Sequence, residues 1–159
     1  MKKLVGLILL AALLTGCTAE ETLETVSDEW VVPVMAQPRE ISVRLPEDTV
    51  TPVLEQDGRR LYMGQGYEIM LETFDSGDLS ATIRSLCGYE KDQLTVLETQ
   101  QGDVDRYDFI WTMAGETGDR LGRAAILDDG NYHYCMYAIR DQGDTNIVWR
   151  DVFASFSLI

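Results

Sequence analysis

The sequence predicts an α+β domain over about residues 38–159, with an antiparallel sheet of about five to seven strands packed with two or more helices. Three observations carry this. Segments in which apolar and polar residues alternate recur along the chain, the period of half-buried strands. Two segments change to helical spacing. The links between strand-like segments are short and rich in Asp and Gly, and short links force antiparallel neighbours because a parallel crossover needs about a dozen residues or more. The length, 159 residues, suits one domain.

The elements follow in order. Ile41, Val43 and Leu45 alternate with Ser42 and Arg44 until Pro46, which predicts a strand. Residues 53–62 (VLEQDGRRLY) predict a hairpin about Asp57-Gly58, where glycine tolerates positive φ. Tyr67, Ile69 and Leu71 share a face opposite Glu68 and Glu72. Leu79, Ile83, Leu86 and Cys87 then fall on one face of a short helix, with Asp78 as N-cap and Gly88 as stop. Residues 94–99, 106–114, 120–127 and 132–139 have strand-like composition. In the second of these, Tyr107, Phe109, Trp111 and Met113 share a face expected to be core. Val148, Trp149, Val152, Phe153 and Phe156 form a closing helical stripe behind Asp144 or Thr145. A domain of this size buries roughly two thirds of its unfolded surface and needs no metal or cofactor to fold.

Charge narrows function. Thirteen Lys and Arg stand against 27 Asp and Glu, a net charge of −14. A nucleic-acid partner is excluded, because phosphate neutralisation needs a basic patch. One histidine and three cysteines leave little material for zinc or haem.

Residues 1–17 read MKKLVGLILLAALLTGC, with a positive start, an apolar stretch from Leu4 to Leu14, and Leu14-Thr15-Gly16-Cys17. The apolar stretch is too short to span a bilayer and has the length of a signal peptide core. This segment resembles bacterial lipoprotein signals. The resemblance implies cleavage before Cys17, a diacylglycerol on Cys17 and a lipid-anchored protein on the extracytoplasmic side of the cell membrane, acylated at two or more positions as stable anchoring requires. Residues 1–16 are then signal, and residues 17–37 carry the lipidated cysteine and an acidic tether. Loss of Lys2 and Lys3 leaves 11 bases against 27 acids, a net −16 that anionic lipid repels, so the lipid alone holds the protein at the membrane. Glu20, Glu21, Glu24, Asp28 and Glu29 make the tether self-repelling. Residues 30–34 (WVVPV) read either as a docking strand or as more tether, and Pro33 argues against a central strand.

The run YEIMLETFDSGDLSATIRSLCGY and the ending NIVWRDVFASFSL, with a meander between, resemble the PsbP-like architecture of extrinsic photosystem proteins, Ran-GTPase-binding import factors and some bacterial envelope lipoproteins. This likeness implies a binding or accessory scaffold and transfers no functional residue.

Candidate chemistry is sparse. Cys87 and Cys135 are either a disulfide, which an exported protein can keep, or two buried thiols. His133 shares a strand face with Cys135, so a Cys–His dyad is stereochemically conceivable, as is a packed structural histidine. No Gly-x-Ser-x-Gly elbow supports a serine nucleophile. Asp103, Asp105 and Asp108, and the pair Asp128-Asp129, do not match a calcium loop, and turn chemistry accounts for the pair. Gly64-Gln65-Gly66 is too short and misplaced to cradle phosphate. Tyr62, Tyr89, Tyr132 and Tyr134 could lie exposed and stack on a sugar or peptide, which would make Tyr132, His133 and Tyr134 ligand contacts. The expectation is a non-enzymatic envelope binding or accessory module with an envelope protein as partner, and without catalytic residues, metal or cofactor. The alternatives are a ligand- or glycan-binding lipoprotein and a small hydrolase or thiol enzyme built on Cys135 and His133.

Overall fold

The described residues form a seven-stranded antiparallel sheet covered by one helix on each face. A computed structural model describes residues 36–49, 51–116, 118–141 and 148–159. The expected signal segment, Cys17, the expected tether up to residue 35 with the WVVPV run, and the expected caps Asp144 and Thr145 lie outside the described residues. The strands are β1 (Ile41–Ser42), β2 (Leu54–Gln56), β3 (Arg59–Gly64), β4 (Tyr67–Asp75), β5 (Leu97–Gln101), β6 (Val104–Gly115), β7 (Gly118–Asp128), β8 (Tyr132–Asp141) and β9 (Ser157–Leu158). The helices are α1 (Leu79–Cys87) and α2 (Val148–Ser155), and 3₁₀ turns occur at Glu47–Thr49 and Lys91–Gln93. The main sheet runs β2-β3-β4-β8-β7-β6-β5, and β1 pairs with β9 in a separate ribbon. No helix among the described residues is long and apolar enough to cross a membrane.

The expected fold class is what forms. Asp57 and Gly58 both have positive φ, +46° and +78°, as a two-residue turn between β2 and β3 requires. The Asp78 carboxylate accepts the Ser80 N–H at 2.9 Å, and Gly88, left-handed at φ +79°, donates to Arg84 O at 2.8 Å. Helix α1 therefore begins and ends where its cap residues put it.

Both sheet faces are buried, so the central strands are apolar on both sides. Toward α2, Ile69, Leu71, Ala125, Leu127, Tyr134, Met136 and Ala138 meet Trp149, Val152, Phe153 and Phe156. Toward α1, Tyr107, Phe109, Trp111, Ala124, Ile126 and Cys135 meet Ile83 and Leu86. In the run Ala124–Leu127 every side chain is buried.

Two expectations are corrected. The alternation Ile41, Val43, Leu45 yields only a two-residue strand, because β9 offers only two partners. The three side chains still pack against the α2 core. The strand expected at 94–99 begins at Leu97, since the 3₁₀ turn and its Glu90–Gln93 capping box occupy the chain before it.

Arg106 ties α2 down. It projects from β6 onto the α2 face, grips Asp108 with two hydrogen bonds of 2.7 and 3.1 Å, and donates to Phe153 O at 3.0 Å and Phe156 O at 3.4 Å. These carbonyls lie at the C-terminal end of α2, where the helix leaves acceptors unmet and a cation is favourable. Gln101 adds a bond of 3.1 Å to Phe156 O.

Candidate functional site

The segment singled out in the sequence, Tyr132 to Cys135, is interior. His133 is fully buried beneath α1, with Nδ1 2.8 Å from Thr82 Oγ1 and Nε2 3.3 Å from Asp128 Oδ2, the latter without hydrogen-bond alignment. A hydroxyl, an imidazole and a carboxylate in sequence are also the parts of a nucleophile triad. Here the hydroxyl is buried with the imidazole, and no substrate reaches either, so the set ties α1 to β7 and β8. Cys135 does share the face of His133, but its thiol is fully buried. Burial, reinforced by the Glu72 carboxylate, pushes its pKa well up, the opposite of what a thiolate nucleophile needs.

Cys87 and Cys135, given as either a disulfide or two buried thiols, stand as free thiols in the structure. Cys87 Sγ turns back along its own helix, 3.2 Å from Ile83 O, and burial raises this thiol as well. Both cysteines are therefore expected to be slow toward a disulfide reagent at neutral pH in the native Cys17→Ser protein. After denaturation without reductant both should react; fewer than two reactive thiols would reinstate the bridge.

The tyrosines expected as ligand contacts, Tyr132 and Tyr134, pack against the chain at residues 36–39. Tyr134 is fully buried, and its hydroxyl donates to Asp129 Oδ2 at 2.9 Å and accepts the Arg39 N–H at 2.8 Å. Tyr132 is half-buried and donates to Ala36 O at 2.8 Å. The two rings clamp residues 36–39 instead of facing a ligand. Burial raises the Tyr134 pKa. Against its own burial, Asp129 is held below the usual carboxylate range by the N–H groups of Asn131 and Tyr132 and by the Tyr134 hydroxyl. Tyr62 is buried; of the four tyrosines, Tyr89 alone lies exposed. Among the described residues no group of three or more His, Cys, Asp or Glu could hold a metal ion. Asp103 pairs with Arg39, whereas Asp108 pairs with Arg106 and Arg123.

The accessible site lies on β6. Strand β5 pairs with β6 only as far as Asp108, leaving residues 109–115 at the sheet margin. Two-residue turns close both hairpins of β6, pairing Gln101 with Val104 and Gly115 with Gly118. The closing pair of such a turn is hydrogen-bonded and the pattern alternates from there. Odd-numbered residues of β6 therefore bond to β7, and Ile110, Thr112 and Ala114 direct N–H and C=O outward. The Tyr89 hydroxyl, donating to Thr112 O at 2.9 Å, marks that direction. Among the described residues no backbone group pairs with this margin. The run Phe-Ile-Trp-Thr-Met-Ala-Gly over 109–115 has no charge, although exposed edges are ordinarily guarded by charge or proline.

A recess lies on each side of this edge. On the α2 side, Ile110, Leu121, Arg123, Ala138, Arg140 and Trp149 line a recess of about 190 Å³. Trp149 is held there by the edge-on ring of Tyr67, 5.1 Å between centroids. On the α1 side a shallower recess of about 320 Å³ is lined by Tyr89, Gln93, Leu94, Trp111 and Thr112, again with Ile110 and Leu121. The two recesses thus meet at Ile110, which is 60% exposed. The uncharged run was visible in the sequence, but that β6 forms a sheet margin was not.

No protein-family model matches the chain, and no curated protein matches it. In fold it is similar to a protein of Bacteroides thetaiotaomicron VPI-5482 solved by crystallography, with a TM-score of 0.52 and 14% identity over 75% of this chain and 45% of that one. The chain therefore spans less than half of that solved chain, and the likeness speaks to fold alone.

Proposed function

We propose that this protein is a lipid-anchored, extracytoplasmic binding module that holds an extended segment of an envelope protein along the outer edge of β6. The observation carrying this reading is the open, uncharged edge with a recess on either side. An added strand gains affinity from main-chain hydrogen bonds, and its side chains alternate between faces, so two recesses flanking one edge supply specificity. A second copy of this chain is a poor occupant, because each copy brings a strongly negative charge. The lipobox Leu14-Thr15-Gly16-Cys17 supports the anchor, and the acidic tether supports a domain standing off the bilayer. A PsbP-like kinship belongs to the same proposal, since that resemblance is to accessory proteins. The hydrolase or thiol-enzyme alternative is left with a sealed, high-pKa thiol and gains no support.

The test is Thr112→Pro in the full-length protein in its own membranes, with a photocrosslinking residue at position 110. Proline removes an outward N–H and leaves the bonds between β6 and β7 in place, so the domain should stay folded. Capture of the crosslinked partner segment is expected to fall about tenfold or more, the worth of one or two main-chain hydrogen bonds plus the obstructing ring. Undiminished capture by a folded Thr112→Pro protein would refute strand addition. Cys17→Ser separates the contribution of the anchor.

A further inference from the structure

The recess beside Trp149 has a feature that strand addition does not use. Arg140 lies in its wall, and the Nη1 of that side chain is shielded from solvent without a hydrogen-bond partner. Among the described residues Arg140 makes no ion pair. The other guanidinium there, Arg123, is engaged, stacked over the Phe153 ring at 4.1 Å and 3.7 Å from Asp108 Oδ1. Folded proteins seldom leave a buried donor unmet, and each exception calls for an explanation. Among the described residues the remaining lining, Ile110, Leu121, Ala138 and Trp149, is apolar. A cavity of about 150 Å³ holds benzene, so 190 Å³ admits one side chain of leucine or phenylalanine size.

From this pairing of an unmet guanidinium donor with an apolar wall, we propose that the recess binds a chain terminus. The occupant is the C-terminal residue of the captured segment, with its apolar side chain against Trp149 and Ile110 and its free carboxylate on Arg140. The inference rests on the strand-addition reading only for the origin of that chain. Reach favours a terminus over an acidic side chain. Arg140 is on β8, so a strand laid on the β6 edge lies three strand spacings away, about 14 Å. A glutamate side chain does not bridge that gap, whereas a chain end leaving the edge can cross β6 and β7. A planar guanidinium also suits two parallel bonds to one carboxylate.

The experiment uses purified full-length protein labelled with 5-fluorotryptophan, with the Trp149 resonance assigned through Trp149→Phe. The probes are acetyl-Thr-Val-Thr-Leu with a free carboxylate, the same peptide as its amide, and sodium hexanoate. The free-acid peptide is expected to move the Trp149 resonance and to bind at least about tenfold more tightly than the amide, in line with a charge-assisted hydrogen bond. Arg140→Gln should bring the acid down to the level of the amide and leave amide binding unchanged. Equal affinity of acid and amide, no movement of Trp149, or a preference that survives Arg140→Gln would each overturn the proposal. Hexanoate binding as tightly as the peptide would also overturn it, in favour of a free small acid. Thr112→Pro keeps the two readings apart. The acid preference should persist in that variant even where partner capture fails, and its loss would show that no separate carboxylate site exists.

Discussion

Replacing Arg106 by leucine is expected to cost about 3–5 kcal/mol of folding stability, the range for breaking a buried ion pair by deleting one partner. The side chain is nearly enclosed, and its removal takes a partner from a carboxylate and from two carbonyls at once. Asp108 loses the two bonds that compensate its own partial burial, and the Phe153 and Phe156 carbonyls lose their cation. Thermal unfolding should show a midpoint lowered by about 10 °C or more. Hydrogen exchange at Ile159, whose N–H meets Glu40 O at 2.9 Å, should accelerate as α2 loosens. Lysine should restore little, since a point charge cannot reproduce the fork that reaches Asp108 and the helix end together. A leucine variant within about 1 kcal/mol of wild type would mean that α2 is held by its apolar stripe alone.

The second large effect is expected at Gly122, which lies opposite Trp111 in the ladder between β6 and β7. A Cβ there would fall 2.1 Å from Trp111 Cε2. The ring is buried beside Phe109, 5.8 Å between centroids, so it can yield only by shifting out of that packing. Gly122→Ala should therefore destabilise by about 2–3 kcal/mol through overpacking. Combined with Trp111→Leu the two changes should cost clearly less than their sum, the signature of neighbours sharing one space. Strict additivity in that double-mutant cycle would rule out the clash as the cause. Because Trp111 also lines the recess on the α1 side, Gly122→Ala should weaken partner capture as well.

What could be read in advance follows from how local each signal is. Asp78 and Gly88 delimit α1 because capping is settled within one helical turn, and Asp57-Gly58 sets its hairpin for the same reason. The stripe Trp149, Val152, Phe153, Phe156 is core as its spacing required, and Tyr107, Phe109 and Trp111 share a buried face, whereas Met113, expected with them, is exposed because β5 and α1 do not reach that end of β6. The misreading of Tyr132 and Tyr134 has a different origin. A tyrosine on a sheet looks the same in sequence whether its face is wet or covered, and coverage of both faces depends on where two distant helices land. Arg106 was invisible for a similar reason, since an Arg two residues from an Asp on a strand reads as a solvated pair until a helix end is placed above it. The β6 edge is the clearest case. Its residues are contiguous and uncharged, but strand order is a property of the whole sheet and decides which strand lies at the margin.

Pairing of β1 with β9 joins residues 41–42 to residues 157–158, nearly the whole length of the domain apart. A ribosome makes the second of these strands more than a hundred residues after the first. The ribbon cannot close until residues 157–158 have been made and released, and it follows directly on the C-terminal end of α2. Until then the apolar face that α2 will cover is open along β4, β8 and β7. A chain stopped before residue 157 lacks the ribbon altogether, and it should be a species that chaperones and proteases treat as unfolded.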